Sequence, residues 1–134
     1  MAGNGTQPRG DVLLRTLAMP SDTNPNGDIF GGWIMSQMDI GGGILAKETA
    51  QGRVVTVAVD SIKFIQPVQV GDVLCCYGEL EHVGNTSITI RIEVWINPVL
   101  RRKPGDPERF KVTEATFTYV AIDENGNKRP VRPV

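Results

Sequence analysis

Residues 19–49 read MPSDTNPNGDIFGGWIMSQMDIGGGILAKET, and the division of this stretch into a loop and a long helix decides the fold. Its first part, through Gly32, is dense in Pro, Asp, Asn and Gly, which are turn formers, so it reads as a structured loop. From residue 32 to residue 49, Met35, Met38 and Leu45 recur at helical spacing and Lys47–Glu48 supply a polar end, which predicts a helix. Apolar residues lie almost all around its first three turns, the pattern of a helix that is buried rather than laid on a surface. Gly41, Gly42 and Gly43 oppose this, each costing about 1 kcal/mol relative to Ala in a helix. They are tolerable where another part of the chain must approach closely.

Outward from the helix the pattern turns to strands. Residues 12–18 form a short one before it. After it, 53–65 (RVVTVAVDSIKFI), 73–83, 87–96 and 109–122 are β-branched or alternating. SITIRIEVWI alternates cleanly, with Ile88, Ile90, Ile92, Val94 and Ile96 on one face and Thr89, Arg91, Glu93 and Trp95 on the other. QPVQVGD (66–72) reads as a turn, GNT (84–86) as a tight turn and 97–108 as a loop. Short connections between the later strands favour an antiparallel meander. The class is α+β: one long central helix wrapped by a curved antiparallel sheet of about five strands. Residues 1–10 read as a flexible N-terminus, 11–123 as a single domain and 124–134 as a polar tail. One helix covers one sheet face, so apolar residues on the other predict a second copy packed there or edge to edge.

With 134 residues the chain has one domain's worth of length. Apolar residues are 40% and charged residues 22%, ordinary for a globular protein, and a net charge of −1 argues against nucleic acid as a partner. The longest apolar stretch, 31–46, is too polar to span a membrane. The N-terminus has no apolar signal segment, so the expected location is cytoplasmic. Cys75 and Cys76 are adjacent and point to opposite faces of a strand, which suits two small buried hydrophobes. With His82 as the one histidine, no typical zinc site can assemble and no metal or cofactor is expected.

Three features carry chemistry. Asp39 sits mid-helix among Trp33, Met35, Met38, Ile40 and Ile44. A carboxylate buried there needs dedicated partners; alternatively it lies on one wet stripe with Ser36 and Gln37. Its neighbours one turn away are Ser36, Gly42 and Gly43, a hydroxyl and empty space that suit a substrate or a water. Gly31 and Gly32 open the helix, where unpaired N–H groups and the positive dipole end can hold an anion or oxyanion. Asn24 in TNPNGD can orient a water or carbonyl, or simply shape a turn.

Taken together and in this order, PSDTNPNGDIFGGWIMSQMD followed by GGGILAKE resembles the hotdog-fold acyl-CoA thioesterases of the YciA type. The likeness continues through RVVTVAVDSIKFIQPVQVGD, GNTSITIRIEVW and TEATFTYVAID, covering roughly residues 10–123. It implies a hotdog fold, with the helix as the sausage and the sheet as the bun. It also implies hydrolysis of acyl-CoA to CoA and a carboxylic acid. By the same resemblance Asp39 is the catalytic acid, Asn24 orients the water or thioester, and the Gly31 N–H, with Gly32, holds the thioester oxygen. Many related hotdog thioesterases carry His before the glycine pair, where this chain has Phe30.

Spacing adds a constraint. Gly31 and Asp39 lie about 12 Å apart along one helix axis, whereas an oxyanion donor and a base should each sit about 3 Å from the reacting centre. Two antiparallel helices from two subunits satisfy this, so a homodimer is the expected minimal unit, and the resemblance suggests a homohexamer built as a trimer of dimers. Lys63, Arg91, Arg101, Arg102 and Lys103 are candidates for the CoA phosphates. Phe30, Trp33 and Met38, with Met19 and Ile29, are candidates for the acyl pocket, and Ser36 for substrate contact. The rival readings are a hotdog hydratase, which needs a histidine near Asp39, and an acyl-CoA-sensing module without turnover.

Overall fold

The computed structural model describes residues 7–131. The first six residues of the predicted flexible N-terminus, and residues 132–134 of the tail, lie outside it. Helix α1 runs Gly31–Ala50 and buries Ile34, Met38, Gly41, Gly42, Ala46 and Ala50 on one side. The small residues of this stripe set how close α1 comes to the sheet. A methyl at Gly41 would stand 3.3 Å from Leu13 Cβ and 3.5 Å from Cys76 Cβ. At Gly42 it would collide with the Tyr119 hydroxyl and with Ile92 Cδ1. The glycines that weaken the helix locally thus allow its closest packing. The helix ends at Gln51, whose left-handed backbone (φ 54°) returns its N–H to the Lys47 carbonyl.

The sheet has five antiparallel strands: β1 (Asp11–Leu17), β2 (Val54–Phe64), β3 (Val73–Val83), β4 (Ser87–Asn97) and β5 (Phe110–Ala121). Their spatial order is β1-β3-β4-β5-β2. Strands β3, β4 and β5 form the expected meander, but residues 66–72 are not a hairpin turn. β2 pairs with β5 and β3 with β1 and β4, so the connection must cross two intervening strands. That is three inter-strand spacings, about 14 Å, well within the reach of residues 65–72. The crossing segment is anchored on the way: Val68 is buried, its carbonyl accepts the Ile29 N–H at 2.9 Å, and Gly71 N–H donates to Ala18 O at 2.9 Å. It thereby ties the loop before α1 to the sheet.

Ile88, Ile90, Ile92, Val94 and Ile96 are all fully buried under α1, as the alternation predicts. Two packing expectations need correction. The helix is not buried all round: Ile40 and Ile44 are 51% and 41% exposed in the single chain. The outer sheet face is not apolar either. Arg91, Glu93, Glu114 and Lys111 form an ion-paired row across β4 and β5, with Trp95 Nε1–H donating to Glu93 Oε1 at 2.8 Å. Apart from Leu80 on β3, the exposed large apolar side chains of the sheet lie at its edges, Val12 and Leu17 on β1, Val55, Val57 and Phe64 on β2, with Ile65 just beyond it.

Both ends of the described chain make tertiary contacts. The Arg9 N–H reaches Glu93 Oε1 at 3.3 Å and its guanidinium meets Glu79 at 2.6 Å. Arg129 donates to the Ala50 carbonyl at 2.9 Å, closing the end of α1, and Val131 is buried in the core.

Candidate active site

Asp39 sits midway along α1, half-buried, on the border between the covered and open sides of the helix. Its carboxylate is held by two hydroxyls. Thr56 Oγ1 on β2 donates to Oδ1 at 2.6 Å, and the Tyr119 hydroxyl on β5 lies 3.1 Å from Oδ1 and 3.1 Å from the Asp39 carbonyl. Thr56 and Tyr119 are cross-strand partners, so a single rung of the sheet supplies both donors. Oδ2 accepts no hydrogen bond among the described residues. Burial first, and then the charge of Asp39, push the Tyr119 phenol far above its usual range, so it remains a proton donor.

Beside this carboxylate is an open cavity of about 290 Å³ lined by Asp39, Ile40, Gly43, Ile44, Lys47, Val54, Thr56 and Tyr119. Of the two glycines expected to leave space, only Gly43 faces it; the space at Gly42 is filled by Tyr119 and Ile92. Ser36 does not join Asp39: its hydroxyl donates to the Trp33 carbonyl at 2.7 Å, satisfying the helix itself.

At the other end of the site, Asn24 closes a loop upon itself. Its Oδ1 accepts the N–H groups of Asn26 at 2.9 Å and Asp28 at 3.2 Å, while Gly27 (φ 85°) makes the turn. The side-chain oxygen is thus fixed by backbone donors, and the Nδ2 amino group makes no hydrogen bond among the described residues. Asn24 is poised to donate. Next along the chain, Phe30 precedes α1 and supplies no side-chain cap. The first N–H groups of α1, including those of Gly31 and Gly32, have no helical acceptor. Gly32 has open space where a side chain would stand; at Gly31 a methyl would sit 3.3 Å from the Phe64 ring.

The remaining predicted positions divide. Met38 is fully buried and serves the core, and Trp33 packs against it. Phe30 is 46% exposed and Met19 49% exposed, whereas Ile29 is buried. Arg91 spends its guanidinium on Glu93 and Glu114. Arg101 forms a two-pronged pair with the buried Asp72, at 3.0 and 2.9 Å. Neither is spare for a phosphate, because a buried carboxylate stripped of its cation is costly. Lys63, Arg102 and Lys103 are exposed and carry no ion pair among the described residues. Cys75 and Cys76 are free and buried, and burial pushes the Cys76 thiol up to about 12. No group of three or more His, Cys, Asp or Glu among the described residues could hold a metal ion. Among the described residues no helix is long and apolar enough to cross a membrane.

Thr56 and Tyr119 were not singled out by the sequence. The alternation of TEATFTY puts Tyr119 on the same face as Phe117, but only strand pairing shows that this face meets Asp39.

Comparison with known proteins gives the chain its family. The model of the thioesterase superfamily matches residues 26–100. Acyl-CoA thioester hydrolase YciA of Escherichia coli is 61% identical over 122 residues, 91% of each chain. The chain belongs to the YciA-type acyl-CoA thioester hydrolases. The structure of HI0827, a hexameric broad specificity acyl-coenzyme A thioesterase, superposes with a TM-score of 0.88 at 60% identity, covering 98% of this chain and 87% of that one. HI0827 has also been solved with an aspartate replaced by alanine. The hexameric thioesterase y2039 of Yersinia pestis matches at 58% identity and a TM-score of 0.87, over 96% of this chain and all of that one. The YciA-type fold is therefore the hotdog arrangement of one central helix on a five-stranded antiparallel sheet.

Proposed function

We propose that this acyl-CoA thioester hydrolase uses Asp39 as the group that activates water. The observation that carries the reading is the state of its carboxylate: Oδ1 is tied down by Thr56 and Tyr119, while Oδ2 is unclaimed beside an open cavity. Water adds to the thioester carbonyl as Oδ2 takes its proton. The tetrahedral oxyanion collapses, the C–S bond breaks, and CoA leaves as thiolate while the acyl group leaves as a carboxylic acid. Attack by Oδ2 itself, giving an anhydride that water then opens, uses the same geometry. The Gly31 N–H, with that of Gly32, receives the oxyanion, and Asn24 Nδ2 orients the water or the carbonyl.

Asp39 and Gly31 lie about 12 Å apart along one axis, so each complete site takes Asn24 and Gly31 from one chain and Asp39 from another. The exposed Ile40 and Ile44 beside Asp39 give that partner an apolar surface to cover. The hexameric relatives support assembly of such dimers into a hexamer. Of the five cations singled out by the sequence, Lys63, Arg102 and Lys103 are left to meet the CoA phosphates.

The test is release of free thiol from short, medium and long acyl-CoAs by wild type and Asp39→Ala. A loss of about a hundredfold or more is expected on removing a general base. Turnover untouched by Asp39→Ala would discard the mechanism. Tight CoA binding by an oligomeric wild type without turnover would make the chain a sensing module.

A further inference from the structure

We infer that Tyr119 and Gly42 form a positioning pair that selects which oxygen of Asp39 reacts, an inference that rests on the role proposed for Asp39. The Tyr119 side chain is almost fully buried and its hydroxyl stands 3.1 Å from both Oδ1 and the backbone carbonyl of Asp39. Its one proton is shared between these two acceptors, which ties the side chain to a backbone atom that cannot rotate. Because the second donor, Thr56, reaches the same oxygen at 2.6 Å, the carboxylate plane is fixed and Oδ2 is the one left without a partner among the described residues. A tyrosine reaches this point only because α1 lacks a side chain at Gly42: a methyl there would overlap the hydroxyl and approach Ile92 Cδ1 to 2.6 Å.

The helix thus carries two coupled features three residues apart, an acid and a gap. The gap admits a donor from β5 that the helix could not supply. This also accounts for the cost of a glycine in mid-helix at Gly42, where alanine is the better helix former. A hydroxyl buried this deeply needs an acceptor in any case. Here the bonds run to the residue whose orientation the reaction requires.

The experiment is steady-state kinetics on Tyr119→Phe, Asp39→Asn and the double variant, using the intact oligomer and one acyl-CoA, with thermal unfolding alongside. Tyr119→Phe keeps the ring and removes only the grip. The expected result is a fall in kcat of about tenfold to a hundredfold, the range for a hydrogen bond to a charged group, with KM changed less than about twofold. In the Asp39→Asn background the same change should have no further effect on kcat. Gly42→Ala should lower kcat in wild type and cost less when combined with Tyr119→Phe, which removes the overlap with the hydroxyl and leaves that with Ile92. Wild-type kcat in a folded Tyr119→Phe overturns the inference, as does an equal loss from Tyr119→Phe in the wild-type and Asp39→Asn backgrounds. If Asp39→Asn is itself fully active, the failure belongs to the proposed mechanism and not to the pair.

Discussion

Glu93 and Asp39 are two acids held by hydrogen bonds, one on the outer face of the sheet and one on the helix, and the structure treats them differently. Glu93 is 2% exposed and both of its oxygens are engaged. Oε1 accepts from Trp95 Nε1 and the Arg9 N–H, and Oε2 from Arg91. Burial pushes its carboxyl up, but the bonds from Arg91, Trp95 and Arg9 outweigh this and hold it below the usual carboxylate range. Asp39 also has two donors, yet both reach the same oxygen, and the other opens on a cavity. A carboxylate with both oxygens engaged stabilises the fold. One that is gripped on a single oxygen is held still with capacity to spare.

The largest separation between the two is expected from their amides. Asp39→Asn keeps an acceptor for Thr56 and Tyr119 while removing the base, so activity should fall by about a hundredfold or more with stability within about 0.5 kcal/mol of wild type. Parallel thiol-release assays and urea unfolding check both halves. Glu93→Gln should show the reverse: kcat preserved, and stability lowered by about 1.5 to 3 kcal/mol because Arg91 keeps only Glu114 as a charged partner. A Glu93→Gln protein that is stable but inactive would break the comparison.

Asn24 sharpens it from the other side. Its Oδ1 holds the loop and its Nδ2 is free, so Asn24→Asp retains the acceptor and deletes the donor. A loss in kcat of about a hundredfold is expected, the scale for removing one donor from a developing charge, with the melting temperature little changed. Asn24→Ala should lose both activity and about 1 kcal/mol of stability. Equal melting temperatures for the two variants would show that the loop does not need the side chain.

The smallest effect is in the acid dependence. The Glu93 carboxyl titrates below its unfolded value, so it contributes stability above that value and loses it as pH falls through the folded one. Glu114, held down chiefly by its bond from Lys111 and then by Arg91, acts in the same direction. Wild type should therefore lose stability below about pH 4.5 more steeply than Glu93→Gln does. Unfolding curves at a series of acidic pH values measure this slope, and equal slopes would remove Glu93 from the linkage.

The sequence makes one half of this picture legible. Helical spacing and the turn residues of TNPNGD place Asp39, Gly31 and Asn24 because each depends on neighbours within a few positions. The alternation of β4 likewise identifies the inner face. What spacing does not reveal is pairing. Thr56 and Tyr119 meet Asp39 only because β2 lies against β5, and β2 lies there because residues 65–72 cross the sheet rather than turn back. The same long-range pairing converts Arg91 from a candidate phosphate ligand into the partner of Glu93 and Glu114. Arg101 is likewise tied to Asp72. A charge on a strand looks the same in sequence whether its neighbour across the sheet satisfies it or not.

The most direct test of a site built from two chains is complementation. Asn24→Ala and Asp39→Ala proteins, each inactive alone, are mixed under conditions shown by mass spectrometry to exchange subunits, and thiol release is followed. In each mixed dimer one site combines the intact Asn24 of one chain with the intact Asp39 of the other, and the second site lacks both. Random pairing within symmetric dimers then predicts recovery of about a quarter of wild-type activity. No recovery after proven exchange would mean that one chain supplies the whole site, and would contradict the shared arrangement.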